Sequence, residues 1–244
     1  MTNISVSQGG QHASAQREAK PHKWALSLWA RGFRRLARRW TVDSHVRKFC
    51  RPFIVEGQQN LLGLRNPMLI IANHTSHFDT VIVLSMLPDQ IYGRTAVVAA
   101  ADRMYRERIK GAWHSLRYNA FPITRGGGRE ALAYSQWLLH NAWSLLIFPE
   151  GKRSRTGELL PFHGGPAILA TLQNVPVLPI YIKGAANILP PGTNRSQAAP
   201  VTVRVGALLT LPEGTSIGDA KHAMEEAVRA LSGETEPHEQ AAAS

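Results

Sequence analysis

The chain has 244 residues, a net charge of +11 and one cysteine. That length suits one α/β domain with a short extension, and a lone Cys50 excludes an internal disulfide and fits a reducing compartment. No apolar run approaches the roughly 18–20 residues that a helix needs to cross a bilayer, and the polar opening lacks a signal-peptide core; neither classical export nor a helical membrane span is expected.

In chain order, residues 1–20 are polar and expected to be disordered. Residues 21–50 form a basic segment expected to associate with membranes. The first 55 residues hold eleven Lys/Arg against two acids, a net +9, and the remainder carries only +2. A patch this concentrated implies a polyanionic partner: an anionic membrane face, a nucleic acid or an acidic carrier protein. Within it, Trp29, Phe33, Leu36, Ala37 and Trp40 recur at three- and four-residue steps, which predicts one helix over 23–40. Arg31, Arg34, Arg35, Arg38 and Arg39 fall on its other side. Aromatics opposite arginines are the composition of a helix lying in a lipid interface. The competing reading is a helix packed on the body with its arginines solvated.

Residues 51–232 are expected to be the catalytic body, and 233–244 a frayed tail. Strands are predicted at 53–56, 68–72, 95–99, 144–148, 177–182 and 201–208. Helices are predicted at about 79–87, 102–117, 128–140, 164–173 and 216–231. This alternation gives an α/β fold, a mixed central sheet with helices on both faces, preceded by the N-terminal amphipathic helical segment.

Four stations along the body carry candidate chemistry. The first is Asn73-His74-Thr75-Ser76-His77-Phe78-Asp79, directly after the apolar run Met68–Ala72. His74 leaves a strand end and Asp79 opens a helix, the place where open α/β sheets bind ligands. Histidine can take a proton from a hydroxyl near neutrality, and a carboxylate on its other nitrogen fixes the tautomer. An Asp at a helix start is also an ordinary cap, and His74, His77 and Asp79 together could ligate a metal. The second station is Phe121 to Arg125 with three glycines after it, a short strand, a guanidinium and a helix start that together suit phosphate. The third runs from Leu145 to Gly157: a strand stopped by Pro149, then Glu150, Gly151, Lys152, Arg153, Ser154 and Arg155, with three cations in four residues. The fourth, Val175 to Ile180, is an apolar strand flanked by prolines.

In this order the four stations resemble the glycerolipid acyltransferase family typified by 1-acyl-sn-glycerol-3-phosphate acyltransferase. The family pattern is H-x4-D, F-x-x-R, F-P-E-G-T-R-S and V-P-x-x-P; here it stands as His74…Asp79, Phe121…Arg125 with three residues between them instead of two, Phe148 to Ser154 and Val175 to Pro179. Lys152 stands where the family usually has threonine, and the Phe162-His163-Gly164-Gly165 run follows the usual turn only loosely. The resemblance implies transfer of an acyl group from an acyl thioester, acyl-CoA or acyl carrier protein, to a lysophospholipid hydroxyl, first of all that of 1-acylglycerol 3-phosphate to give phosphatidic acid, with another lipid acceptor such as glycerol 3-phosphate or a lyso-aminolipid as the alternative. It implies His74 and Asp79 as catalytic, Arg125, Glu150, Gly151 and Arg153 as acceptor-binding, and no metal or cofactor. It also implies a peripheral place on the cytoplasmic face of an anionic membrane. No G-x-S-x-G elbow is present, against an acyl-serine hydrolase. The competing classes are a basic nucleic-acid-binding module, which no recognised motif supports, and a metal-dependent hydrolase at His74, His77 and Asp79.

Overall fold

The computed structural model describes residues 20–101, 105, 107–123, 128–190, 193 and 195–233. The expected tails, apart from Lys20 and Gly233, and Arg125 lie outside the described residues. Seven strands form one sheet: β1 (Cys50–Glu56), β2 (Leu69–Ala72), β3 (Thr95–Ala100), β4 (Ala120–Ile123), β5 (Ser144–Ile147), β6 (Val177–Lys183) and β7 (Ala199–Val205). Their spatial order is β1-β7-β6-β2-β5-β3-β4. Every neighbouring pair is parallel except β6 with β7, so the sheet is mixed, as expected. The helices are α1 (Leu28–Arg38), α2 (Ser44–Phe49), α3 (Asp79–Met86), α4 (Asp89–Tyr92), α5 (Arg108–Tyr118), α6 (Gly128–His140), α7 (Gly165–Gln173) and α8 (Ile217–Ser232).

The central strands read as unbroken apolar runs because both of their faces are covered. Side chains alternate across a strand. Ile70 and Ala72 of β2, Leu146 of β5 and Leu178 and Ile180 of β6 enter one core with Val81–Leu84 of α3 and Ile91 of α4. Leu69, Ile71, Leu145, Ile147 and Val177 enter the other, against Leu138 and Leu139 of α6, Leu169 of α7 and Met224 and Val228 of α8. Parallel pairing sets Ile70 beside Leu146 and Leu178. The C-terminal ends of β2, β5 and β6 therefore emerge together on one edge, and the first and third stations follow the ends of β2 and β5.

The N-terminal segment corrects the expectation of one helix over 23–40. A 3-10 turn spans Lys23–Leu26, Ser27 caps α1 by accepting from the Ala30 amide, and a π-helical turn over Arg39–Asp43 leads into α2. Three of the five arginines, Arg31, Arg34 and Arg38, turn toward the body, while Arg35 and Arg39 are exposed. Arg34 is 5% exposed and donates to the carbonyls of Ala25 (2.7 Å), Ser115 (3.4 Å) and Leu116 (3.5 Å). Arg38 donates to the carbonyls of Ser85 (2.7 Å) and Leu87 (2.9 Å) and to Asp89 (2.7 Å), and Arg31 donates to the Gly93 carbonyl at 3.2 Å. Apart from that of Ala25, which belongs to the 3-10 turn, these carbonyls lie at the C-terminal ends of α3, α4 and α5. Carbonyls there lack intrahelical partners and carry the negative end of the helix dipole, so cations dock on them. Ala30 and Ala37 are buried beneath the helix. The apolar side is left outward: Trp29, Phe33, Leu36 and Trp40 are exposed, Trp40 at 73%.

Candidate active site

β2 ends at Ala72, and the next two residues are held by the strands beside it. The Asn73 side chain accepts from the Ile182 amide (2.7 Å) and donates to its carbonyl (3.0 Å), extending the contact between β2 and β6. The His74 amide donates to Glu150 Oε1 at 2.7 Å, and the His74 carbonyl accepts from the Ser154 amide at 2.7 Å. The sequence reading did not single out Asn73; a polar residue closing an apolar strand was its only signal.

The chain then turns back so that Asp79, in the first turn of α3, meets His74. His74 Nδ1 lies 2.8 Å from Asp79 Oδ2. The same oxygen accepts from the backbone amides of Thr75 and Ser76, each at 2.7 Å. Asp79 is fully buried, and the helix start favours its charge. With Nδ1 donating to the carboxylate, Nε2 carries the lone pair, the arrangement of a general base with an orienting acid. Phe148 stacks on the imidazole with ring centroids 4.3 Å apart and planes at 22°. It fixes the ring from the β5 side, a role that the sequence reading did not assign.

Glu150 stands at the end of β5, 2% exposed. Its Oε1 takes the His74 amide and its Oε2 accepts from the Leu160 amide at 3.1 Å. Burial pushes its carboxyl up to about 7, opposed by those two amides and assisted by nearby Asp79. Gly151 follows with φ +67, and a Cβ there would come within 2.8 Å of the His163 ring. Glycine is required both by that positive φ and by the close approach. Arg153 is half-buried, while Lys152 and Arg155 are exposed.

Beyond the loop lies an open cleft of about 440 Å³ at the C-terminal end of β6, which Thr75, Arg155, Thr156, Lys183 and Asn187 help to line. The Glu158 carboxylate and apolar Tyr181, Ile182 and Pro190 complete the lining; the two cations, Arg155 and Lys183, are the groups there that suit a phosphate ester. Lys183 and Asn187 were not foreseen, because nothing in the apolar run before them announces a site. The structure thus brings together His74, Asp79 and Glu150, with Gly151 and Arg153 in the loop that follows Glu150. Among the described residues, no three His, Cys, Asp or Glu side chains gather as a metal site.

The family model described as Acyltransferase matches residues 52–183. A chloroplastic 1-acyl-sn-glycerol-3-phosphate acyltransferase of Brassica napus is 28% identical over 142 residues, 57% of this chain and 39% of that protein. The human 1-acyl-sn-glycerol-3-phosphate acyltransferase beta is 25% identical over 199 residues, 79% of this chain and 68% of its own length. The chain spans between about two fifths and one half of the length of the first curated relatives that it matches. The crystal structure of the 1-acyl-sn-glycerophosphate acyltransferase PlsC from Thermotoga maritima superposes with a TM-score of 0.63 at 23% identity, covering 84% of this chain and 78% of that one; it shares the fold.

Proposed function

The chain belongs to the Acyltransferase family, and from that premise we propose that it moves a fatty acyl group from a thioester to the 2-hydroxyl of 1-acylglycerol 3-phosphate. The observation that carries this reading is the 2.8 Å pair of His74 and Asp79 beside a cationic loop and an open cleft lined by Arg155 and Lys183. His74 Nε2 takes the proton as the hydroxyl oxygen attacks the thioester carbonyl. The carbon–sulfur bond breaks, and the imidazolium returns the proton to the departing thiolate. A thioester is already activated, so no enzyme nucleophile is needed. Arg125 and Arg153 are assigned to the acceptor's phosphate, with Arg155 and Lys183 at the cleft beside Thr75. The donor is acyl-CoA or acyl carrier protein, and no cofactor or metal enters the reaction.

The acceptor and product are lipids, and among the described residues no helix is long and apolar enough to cross a membrane. The outward side of α1 supplies a contact instead. Trp24 and Trp29 stack at 5.7 Å in line with exposed Phe33, Leu36 and Trp40, a surface suited to the headgroup boundary. We assign it to the cytoplasmic face of an anionic membrane. Arg31, Arg34 and Arg38 are spent inside the protein, which also weakens the nucleic-acid reading.

The test incubates the purified chain with 1-acylglycerol 3-phosphate and acyl-CoA or acyl carrier protein thioesters, following free thiol and lipid product. Acceptor-dependent thiol release matched by diacylglycerol phosphate is expected. Thiol release that ignores the acceptor, or no transfer from either donor, would overturn the reading.

A further inference from the structure

We propose that Glu150 is the positioning residue of the dyad: it holds the backbone of His74 from inside the protein and does not touch the acceptor. This rests on the function proposed above and replaces the acceptor-binding role that the resemblance implies for Glu150. The carboxylate is 2% exposed, so a lipid headgroup has no route to it without displacing the loop. Both oxygens are engaged, one by the His74 amide at 2.7 Å and the other by the Leu160 amide at 3.1 Å. One side chain thereby ties the end of β5 to the turn that carries the base and to the far end of the cationic loop.

The same loop holds His74 from its other side, since the Ser154 amide donates to the His74 carbonyl at 2.7 Å. Both backbone polar groups of the base are therefore fixed by residues 150–154. Asp79 fixes the imidazole, and Glu150 fixes the peptide that bears it. A buried carboxylate is expensive and is tolerated when amides satisfy it. Here that expense falls on the one amide whose displacement would re-aim Nε2. Misplacing a catalytic group by about 1 Å can cost about a hundredfold in rate, so the clamp acts on turnover rather than on affinity. Its elevated carboxyl, pushed to about 7 by burial, agrees with a group enclosed by protein.

The test uses the full chain with Glu150→Gln and Glu150→Ala. Gln is isosteric and keeps one acceptor oxygen for the His74 amide, but it turns an N–H2 toward the Leu160 amide; Ala keeps neither bond. The expected order of kcat is wild type, then Gln, then Ala, with Ala down about a hundredfold and the acceptor's KM changed less than about twofold. The backbone amide of His74, read by 15N–1H NMR, should move upfield and exchange faster in both variants, because a short charge-assisted bond is lost or weakened. A raised acceptor KM with the His74 amide unmoved would overturn the proposal and restore the acceptor-binding role. If Glu150→Ala does not fold, Glu150→Gln carries both readouts. If the wild-type chain transfers no acyl group, the functional reading fails, and the NMR comparison still decides whether Glu150 holds His74.

Discussion

Asp79 Oδ2 gathers three donors, the His74 ring and the amides of Thr75 and Ser76. It is thus both the partner of the base and the nucleus of the turn between β2 and α3. His74 is half-buried and packs on Phe148 without filling the core. His74→Ala should therefore fold normally and lose about 10²–10⁴ in kcat, the usual worth of a general base; matched thermal melts and initial rates check this, and near wild-type turnover would remove His74 from the mechanism. Asp79→Asn should cost activity and stability together, since an amide oxygen serves the two backbone donors less strongly than a carboxylate. Arg153→Ala should raise the acceptor's KM about tenfold, taking roughly 1.5 kcal/mol for a charge-assisted contact. Steady-state kinetics with acceptor and thioester varied separately would show it, and an unchanged acceptor KM would move the phosphate elsewhere.

The element with the least usual construction is α1, an amphipathic helix with three of its four arginines turned inward. Arginine can be buried this way where its fork meets carbonyls lacking other partners. Burial lowers the Arg34 guanidinium to about 10, still charged at neutral pH. Arg34→Ala should destabilise the protein by about 1.5–3 kcal/mol, as expected for hydrogen bonds to a charged group, whereas Arg35→Ala, at an exposed position, should be close to neutral. Urea unfolding separates the two, and equal effects would mean that α1 is not docked by this contact. On the other side, Trp29→Ser with Trp40→Ser should leave stability nearly unchanged and reduce sedimentation with anionic liposomes. Because three arginines face the body, salt should weaken that binding less than five solvated cations would imply. A salt dependence as steep as five free charges would place the arginines at the lipid.

Across the molecule, the seam between the N-terminal segment and α5 sets the response to acid. Burial lowers the pKa of His22, His45 and His114, with Arg117 adding to the effect on the last two. A histidine lowered in the folded state leaves the unfolded chain to take up protons first as pH falls below about 6.5. The stability of this seam is therefore present above that pH and lost below it. Glu150 acts oppositely: raised from 4.5 to about 7, it gives the folded state the extra proton between those values, so its contribution falls as pH rises through that window. The two slopes oppose each other. Denaturant titrations from pH 5 to 7 should show stability rising more steeply with pH in Glu150→Gln than in wild type, and less steeply in His45→Asn. Parallel curves for all three proteins would show that these groups titrate alike in the folded and unfolded chains.

Much was legible locally because it depends on residues near one another in the chain. The runs at 69–72 and 145–147 are apolar throughout because each strand is covered on both faces, and the six residues from His74 to Asp79 close their own turn. Helix borders were less legible: Ser27 as a cap and the π-helical turn at Arg39–Asp43 break a periodicity that reads as continuous in the sequence. What only the tertiary structure decided were contacts between distant segments. Glu150 and His74 meet because β5 lies beside β2; Lys183 reaches the cleft because β6 flanks β2 on its other side. The hydrophobic pattern of α1 marks two sides but cannot say which one faces the body. The carbonyls at the ends of α3, α4 and α5 settle that, since they attract guanidinium groups and leave the tryptophans outside.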